Sequence, residues 1–386
     1  MDPVRDRGGQ GAVGSEQSAG IGTTAEVEDS SVNRDEPAAQ LARLEEAYRA
    51  GLASCGLAAG TALWRRVFAA DLASQTAELA DHPLTSRTRS DEPCAVSWVE
   101  QPPEPPATLA LWAYHVRDPA GPLDKRRDGD TLAWTHNGLT HCWTTNLTVP
   151  AAPSAYDQTR GAFERYDDVL RGRGLALARH VLRTWLFVRD IDADYAELVR
   201  ARREHFERHG LTPQTHYIAS TGIGGGGPDP AALVTLDALA VAGLRPTQIR
   251  YLAAPAHLCP TYTYGVTFER GTAVRYADRT HVLISGTASI DARGEVLYPG
   301  DVTRQVDRTV ENIAALLATA GATLADLGVL IAYVRQPEHR AVVRRRLRER
   351  CGRVPTEVVV GRVCRPAWLV EIEALAVLDA EQADLP

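Results

Sequence analysis

Lysine is almost missing from this 386-residue chain: Lys125 stands alone, and arginine supplies the rest of the 42 basic side chains. An Arg-, Ala- and Gly-rich composition reflects a GC-rich genome, yet it also stocks the chain with groups that grip carboxylates bidentately. A basic excess is missing too. The 49 acidic residues set a formal net charge of −7, the opposite of the cationic surface that nucleic-acid binding requires. The six cysteines (55, 94, 142, 259, 351 and 364) include no CxxC pair and no Cys/His zinc spacing. That excludes a disulfide framework and points to reduced thiols. No window reaches the ~18 uninterrupted apolar residues that a membrane helix needs. Met1–Arg7, running into Gly8–Gly11, lacks the apolar core of a secretory leader. The expected setting is the cytoplasm, where the Asn146-Leu147-Thr148 acceptor carries no glycan.

The remaining composition, 44% hydrophobic and 24% charged, is that of a globular protein with enough apolar residues for a large core. At roughly 100–200 residues per domain, two domains are expected. Residues 1–38, rich in Gly, Ser, Asp, Glu and Thr, read as a disordered extension. Residues 39–215 and 216–386 then form an N-terminal and a C-terminal domain.

Leu41, Leu44, Ala47, Tyr48 and Leu52 repeat at helical spacing. Five prolines between 92 and 107 break any regular element, and strand-like runs follow at 109–117 and 131–136. Arg160–Arg171 reads as a helix ended by Gly172 and Gly174, and Thr184–Val188 as a buried strand. Residues 194–209 form a second amphipathic helix, stopped by Gly210. Its His205 and His209 sit one turn apart and could in principle hold a metal; His and Arg in a last turn also simply suit the helix dipole. Ser220-Thr-Gly-Ile-Gly-Gly-Gly-Gly-Pro228 is neither a P-loop nor a dinucleotide fingerprint. Its backbone amides could hold an anion, and a flexible turn is the plainer reading.

The last 125 residues are the clearest. Strands are expected at 281–285, 329–334, 357–363 and 369–378. A helix starts with Asp301 as N-cap and carries Val302, Val306, Val310, Ile313 and Leu317 on one stripe; another covers 337–351. The order β-α-β-α-β-β describes an α+β domain, a mixed sheet with helices on one face.

The final strand places Glu371 and Glu373 on the same face, about 7 Å apart, with Val370 and Ile372 on the other. Two carboxylates in an apolar strand are costly unless paired. A like charge and desolvation raise the pKa of one of them, and a protonated Glu at neutral pH is a general acid. The alternative has one Glu salt-bridged across a subunit interface and the other exposed. Arg183 and Arg189 flank the 184–188 strand, Arg335 ends Tyr333-Val-Arg, and Arg362 and Arg365 bracket Cys364. Together they suggest a pocket for a small dianion. Those two arginines could lower the Cys364 pKa, but no His lies nearby, so a pocket-shaping role is favoured over covalent catalysis.

Gly-Glu-Val-Leu-Tyr-Pro-Gly-Asp (294–301), Glu311-Asn-Ile, Gly321-Ala-Thr-Leu-Ala-Asp-Leu, Tyr333-Val-Arg and Val370-Glu-Ile-Glu-Ala resemble a RidA/YjgF-like (chorismate-mutase-like) domain over about 280–380. Ser220-Thr-Gly-Ile-Gly, Tyr264-Gly-Val-Thr-Phe-Glu-Arg-Gly271 and Ser285-Gly-Thr-Ala-Ser-Ile290 look like the chorismatases, extending the likeness to about 110–380. The resemblance implies two RidA-like domains, the first degenerate, with a pocket between them in one chain. It implies that Glu371 protonates the enolpyruvyl methylene of chorismate without metal or organic cofactor. Arg183, Arg335 and Arg362 would bind carboxylates, Tyr251 would form a hydrogen-bonding wall, and Ser220 and Gly286 would complete the substrate site. Cys364, seven residues before the glutamate, resembles the branch that releases pyruvate and 3-hydroxybenzoate. Other branches release a dihydroxycyclohexadienoate or 4-hydroxybenzoate. A RidA-type imine deaminase using Arg362, and a non-catalytic module that binds aromatic acids, are the competing readings. No nucleic-acid or membrane partner is expected, and the assembly is a monomer or a homotrimer.

Overall fold

The structure, a computed structural model, describes residues 18–23 (backbone only), 37–89, 91–382 and 384–386. Three sheets follow one another along the chain. The first contains β1 (Ser18–Thr23), β2 (Ala62–Ala69), β3 (Ala95–Glu100) and β4 (Leu109–Val116) in the order β1-β4-β2-β3. The middle sheet contains β5 (Asp124–Asp128), β6 (Thr131–His136), β7 (Leu139–Leu147), β8 (Val181–Val188), β9 (Ala219–Gly224) and β10 (Val234–Ala242), ordered β5-β6-β7-β10-β8-β9. The last contains β11 (Ile249–Tyr251), β12 (Gly271–Arg275), β13 (Arg279–Ala288), β14 (Leu327–Val334), β15 (Thr356–Val360) and β16 (Val370–Asp379), ordered β11-β12-β13-β16-β14-β15. Middle and last sheets therefore share one order, position for position, and the first repeats its last four positions. In each sheet one pair is parallel (β2–β3, β8–β9, β14–β15) and the other pairs are antiparallel.

Helices fall at matching places: α1 (Pro37–Ser54) and α2 (Leu72–Asp81) in the first unit, α3 (Ala155–Arg171), the short α4 (Leu177–His180) and α5 (Ile191–Arg208) in the middle, α6 (Val302–Thr319) and α7 (Arg340–Cys351) in the last. The expected stripe of α6 is buried at Val306, Val310, Ile313 and Leu317. Asp301 caps it by accepting from the Arg304 amide, worth about 1 kcal/mol. Each helical layer packs on its own sheet. Trp64, Trp112, Trp143, Trp185, Ile284 and Ile331, drawn from all three sheets, share one core. The fold is α+β, with mixed sheets. Among the described residues no helix is long and apolar enough to cross a membrane.

Several sequence expectations change. The boundary at 215/216 falls inside the middle sheet, because β10 pairs with both β7 and β8. The sheets group the chain as 18–116, 124–242 and 249–379. Within the expected N-terminal extension, 18–23 pair with β4; residues 1–17 and 24–36 lie outside the described residues. Ala95–Glu100 is a buried strand between the prolines, since only Pro93 and the 102–106 group interrupt the chain there. The glycine run at 220–227 is no flexible turn. Its first residues form β9, and Cβ atoms on Gly225, Gly226 and Gly227 would meet Val99 at 2.9 Å, Arg189 at 2.8 Å and Thr235 at 2.4 Å.

Candidate active site

Glu371 and Glu373 share a face of β16 and have different surroundings. Glu373 is saturated. Its carboxylate accepts from Arg183 Nη2 at 2.7 Å, Thr221 Oγ1 at 2.5 Å, Tyr333 Oη at 3.0 Å and Trp185 Nε1 at 2.9 Å. Arg66, which pairs with Asp237 at 3.1 Å, stands 3.6 Å from the same carboxylate. Two buried cations thus meet two buried anions where the three sheets join, which keeps each charge compensated away from water.

Glu371 is buried, at 5% exposure, and its carboxyl has no hydrogen-bond partner among the described residues. Burial first, and the Glu373 charge second, raise its pKa to about 8, against the opposing pull of Arg183 and Arg270. At neutral pH it therefore carries a proton with nothing nearby to receive it. Its room is made by Gly286: a Cβ there would lie 1.9 Å from Glu371 Oε1. Gly286 sits in an irregularity of β13 between Ile284 and Thr287, and its amide donates to Thr221 Oγ1 at 3.0 Å.

The Glu371 carboxyl lines a cavity between the middle and last units. Tyr195 and Arg202 from α5 and Ser220 and Gly222 from β9 form one wall. Tyr264, Phe268, Arg270, Gly286, Cys364, Arg365 and Trp368 form the other. Arg202 is 1% exposed, and its Nη2 has no hydrogen-bond partner among the described residues. An unsatisfied buried guanidinium nitrogen in a cavity wall is a ready carboxylate site. Arg270 is held by the Cys259 carbonyl, and Arg365 lies over the Tyr264 and Trp368 rings at 4.9 and 5.0 Å. Burial raises the Tyr264 phenol to about 12 and the Tyr195 phenol well above its ordinary value, so both remain hydrogen-bond donors.

Of the expected site residues, Glu371, Cys364, Ser220 and Gly286 line this cavity. Arg183 does not: its guanidinium is engaged by Glu373, Thr221 and Ser285. Arg335 and Arg362 both pair with Asp192, at 2.7 and 3.5 Å, and the Arg362 side chain is 60% exposed. Tyr251, on the short edge strand β11, stacks on His216 at 4.2 Å and faces a different cleft. Cys364 is half-buried, and burial with the nearby Glu371 pushes its thiol up to about 12, overriding Arg365. It is no thiolate at neutral pH. Arg202, Arg270, Arg365, Tyr195 and Tyr264 line the cavity in place of Arg183, Arg335 and Arg362. Of these, Tyr264 and Arg270 lie inside a motif conspicuous in the sequence and Arg365 flanks Cys364, whereas Arg202 and Tyr195 carried no signal.

Residues 271–378 match the family described as endoribonuclease L-PSP. No curated protein matches the chain in sequence. Among solved structures, a chorismatase crystal structure is similar with a TM-score of 0.62 and 21% identity, over 82% of this chain and 93% of that one. A YjgF-family member from Mycobacterium tuberculosis covers 34% of this chain and 99% of its own, at 23% identity and a TM-score of 0.27. The E. coli YjgF product covers 33% and 98%, at 23% identity and 0.27. The chain has the fold of a chorismatase, and its last sheet carries the L-PSP family pattern.

Proposed function

We propose that the chain is a chorismatase that converts chorismate to pyruvate and 3-hydroxybenzoate, with Glu371 as general acid. The observation that carries this reading is the protonated, unpartnered Glu371 carboxyl in a cavity walled by Arg202, Arg270 and Arg365. An acid poised near its working pH is what protonation of a weakly basic carbon requires, and chorismate brings two carboxylates for the arginines. Glu371 gives its proton to the enolpyruvyl methylene, producing a methyl group and an oxocarbenium-like centre. The ether bond to the ring then breaks and pyruvate leaves. The neighbouring ring hydroxyl closes onto the vacated carbon as an arene oxide, its proton restores Glu371, and reopening of the oxide gives the phenol. No water is consumed.

Arg202 and Arg270 hold the carboxylates, and Tyr195 and Tyr264 donate hydrogen bonds to the developing charge. The neutral Cys364 thiol fills space beside Glu371 and shields the ring carbon from water. An imine deaminase reading would need Arg362 in the pocket, and Arg362 is exposed and paired with Asp192.

The test is incubation of the purified chain with chorismate alone, followed by chromatography. Pyruvate with 3-hydroxybenzoate is expected. Pyruvate with a dihydroxycyclohexadienoate would keep Glu371 and replace the product; no pyruvate would overturn the assignment.

A further inference from the structure

His205 and His209 lie one turn apart at the C-terminal end of α5. Nothing local in the sequence says what faces them. Across the helix pair stands Asp167 of α3, its Oδ2 3.0 Å from His205 Nε2 and 2.9 Å from His209 Nε2. The three ligand atoms lie within 4.8 Å of one another.

Both contacts are within ion-pair distance, yet a hydrogen bond does not account for the buried one. His205 is 2% exposed, and its Nε2 has no hydrogen-bond partner among the described residues even with Asp167 Oδ2 at 3.0 Å. A buried imidazole nitrogen left unsatisfied is uncommon. Both rings instead bring Nε2 to one carboxylate oxygen. They stack at 4.7 Å and 28°, and Phe163 braces His205 from the other side at 5.2 Å. Ligands about 2.0–2.2 Å from a tetrahedral zinc stand roughly 3.3 Å apart, close to the two carboxylate–imidazole separations of 3.0 and 2.9 Å.

We propose that Asp167, His205 and His209 form a divalent-metal site, with zinc as the ion their chemistry suits best. Two imidazoles and a carboxylate are borderline donors favouring zinc over magnesium or calcium. His209 is a third exposed, so the fourth position opens toward solvent and takes water. Arg208 Nη2 is 3.3 Å from His205 Nδ1. Metal binding puts the ring proton on Nδ1, and Arg208, being exposed, turns out to solvent. The ion ties the end of α5 to α3, with His205 less than one turn and His209 about two turns beyond Arg202, which lines the cavity. The site is a clamp rather than a reaction centre, and it stands independently of the chorismatase reading.

The test uses metal-free full-length protein titrated with zinc chloride by calorimetry, beside His209→Gln and Asp167→Asn. One zinc per chain is expected, with affinity reduced at least tenfold in each variant. Zinc should raise the unfolding midpoint of the parent and leave that of His209→Gln in place. Cobalt should give the visible bands of a tetrahedral site in the parent alone. Unfolding of the metal-free variants at the parent's midpoint shows that the loss is not misfolding. Absence of binding, or binding unchanged in both variants, overturns the proposal.

Discussion

The middle and last units are built to one plan and differ at the point that matters. In β10 the run Asp237-Ala-Leu-Ala-Val241 matches Glu373-Ala-Leu-Ala-Val377 in β16. Thr235 thereby corresponds to Glu371, and Asp237 to Glu373. Both sheets also break register at the same place, β7 at residues 145–146 and β13 at 285–286. Asn146, with φ +50°, occupies the position of Gly286. There the Asn146 side chain donates to the Trp98 carbonyl at 2.9 Å and accepts from its amide at 2.8 Å, sealing the middle sheet to β3. In the last unit the glycine leaves that space empty, and the Glu371 carboxyl fills it. The Glu371 carboxyl has its room because a side chain was left out opposite it. The same break in register supports either a seam or a site, with the backbone left-handed at Asn146 and not at Gly286.

Several substitutions break or sharpen this contrast. The largest effect belongs to Glu371→Gln, which keeps the shape and removes the proton; pyruvate release from chorismate should fall by about 10²–10⁴-fold, with chorismate still bound in a titration. Gly286→Ala drives a methyl group into the acid and should lower turnover by about 10²-fold. The matching change in the sealed unit, Asn146→Gly, should leave turnover unchanged and cost about 1–3 kcal/mol in a denaturant melt. An equal activity loss in both variants would show that the two positions are not alternatives.

Glu373→Gln acts on pH. The general acid must be protonated, so the rate should be level below about 8 and fall as pH rises through it. Removing the Glu373 charge leaves Arg183 and Arg66 less opposed and lowers the Glu371 pKa, so this falling limb should move to lower pH. A limb that stays in place would mean burial alone sets the acid. The smallest effect is expected from Cys364→Ala: nearly unchanged pyruvate release, with some dihydroxycyclohexadienoate appearing as water gains access.

The last unit was the most legible in sequence because its signals are local: Asp301 before an apolar stripe, and alternation that puts Glu371 and Glu373 on one face. The shift of one carboxyl by burial and a like charge followed from that spacing alone. The first unit was obscured by its own charges. Trp64-Arg-Arg66 drew no strand expectation, and the groups that meet its arginines inside the protein are distant in sequence or on another element: Asp237, 171 residues away, for Arg66, and the Tyr48 hydroxyl and Leu84 carbonyl for Arg65. Arg202 was hidden likewise, since Arg200, Arg202 and Arg203 look like a solvated helix face until α5 is laid against Tyr264 and Cys364. Arg183, Arg335 and Arg362 were misplaced for the converse reason. Strand-end arginines do converge on acids, but here the acids are Glu373 and Asp192. The Asp-Ala-Leu-Ala-Val and Glu-Ala-Leu-Ala-Val pair was the one signal that could have exposed the repeat and moved the domain boundary.

Joining three such sheets in one polypeptide has a consequence for symmetry. A ring of three identical chains must repeat every substitution at all of its seams, so none can be sacrificed to strength while another stays open. Here each seam has its own residues to vary: one is locked by Asn146 and the Arg66–Asp237 pair, another kept hollow around Glu371. Ligand binding should therefore saturate at one molecule per chain, and the locked seam is free to accumulate stabilising changes that the hollow one cannot accept.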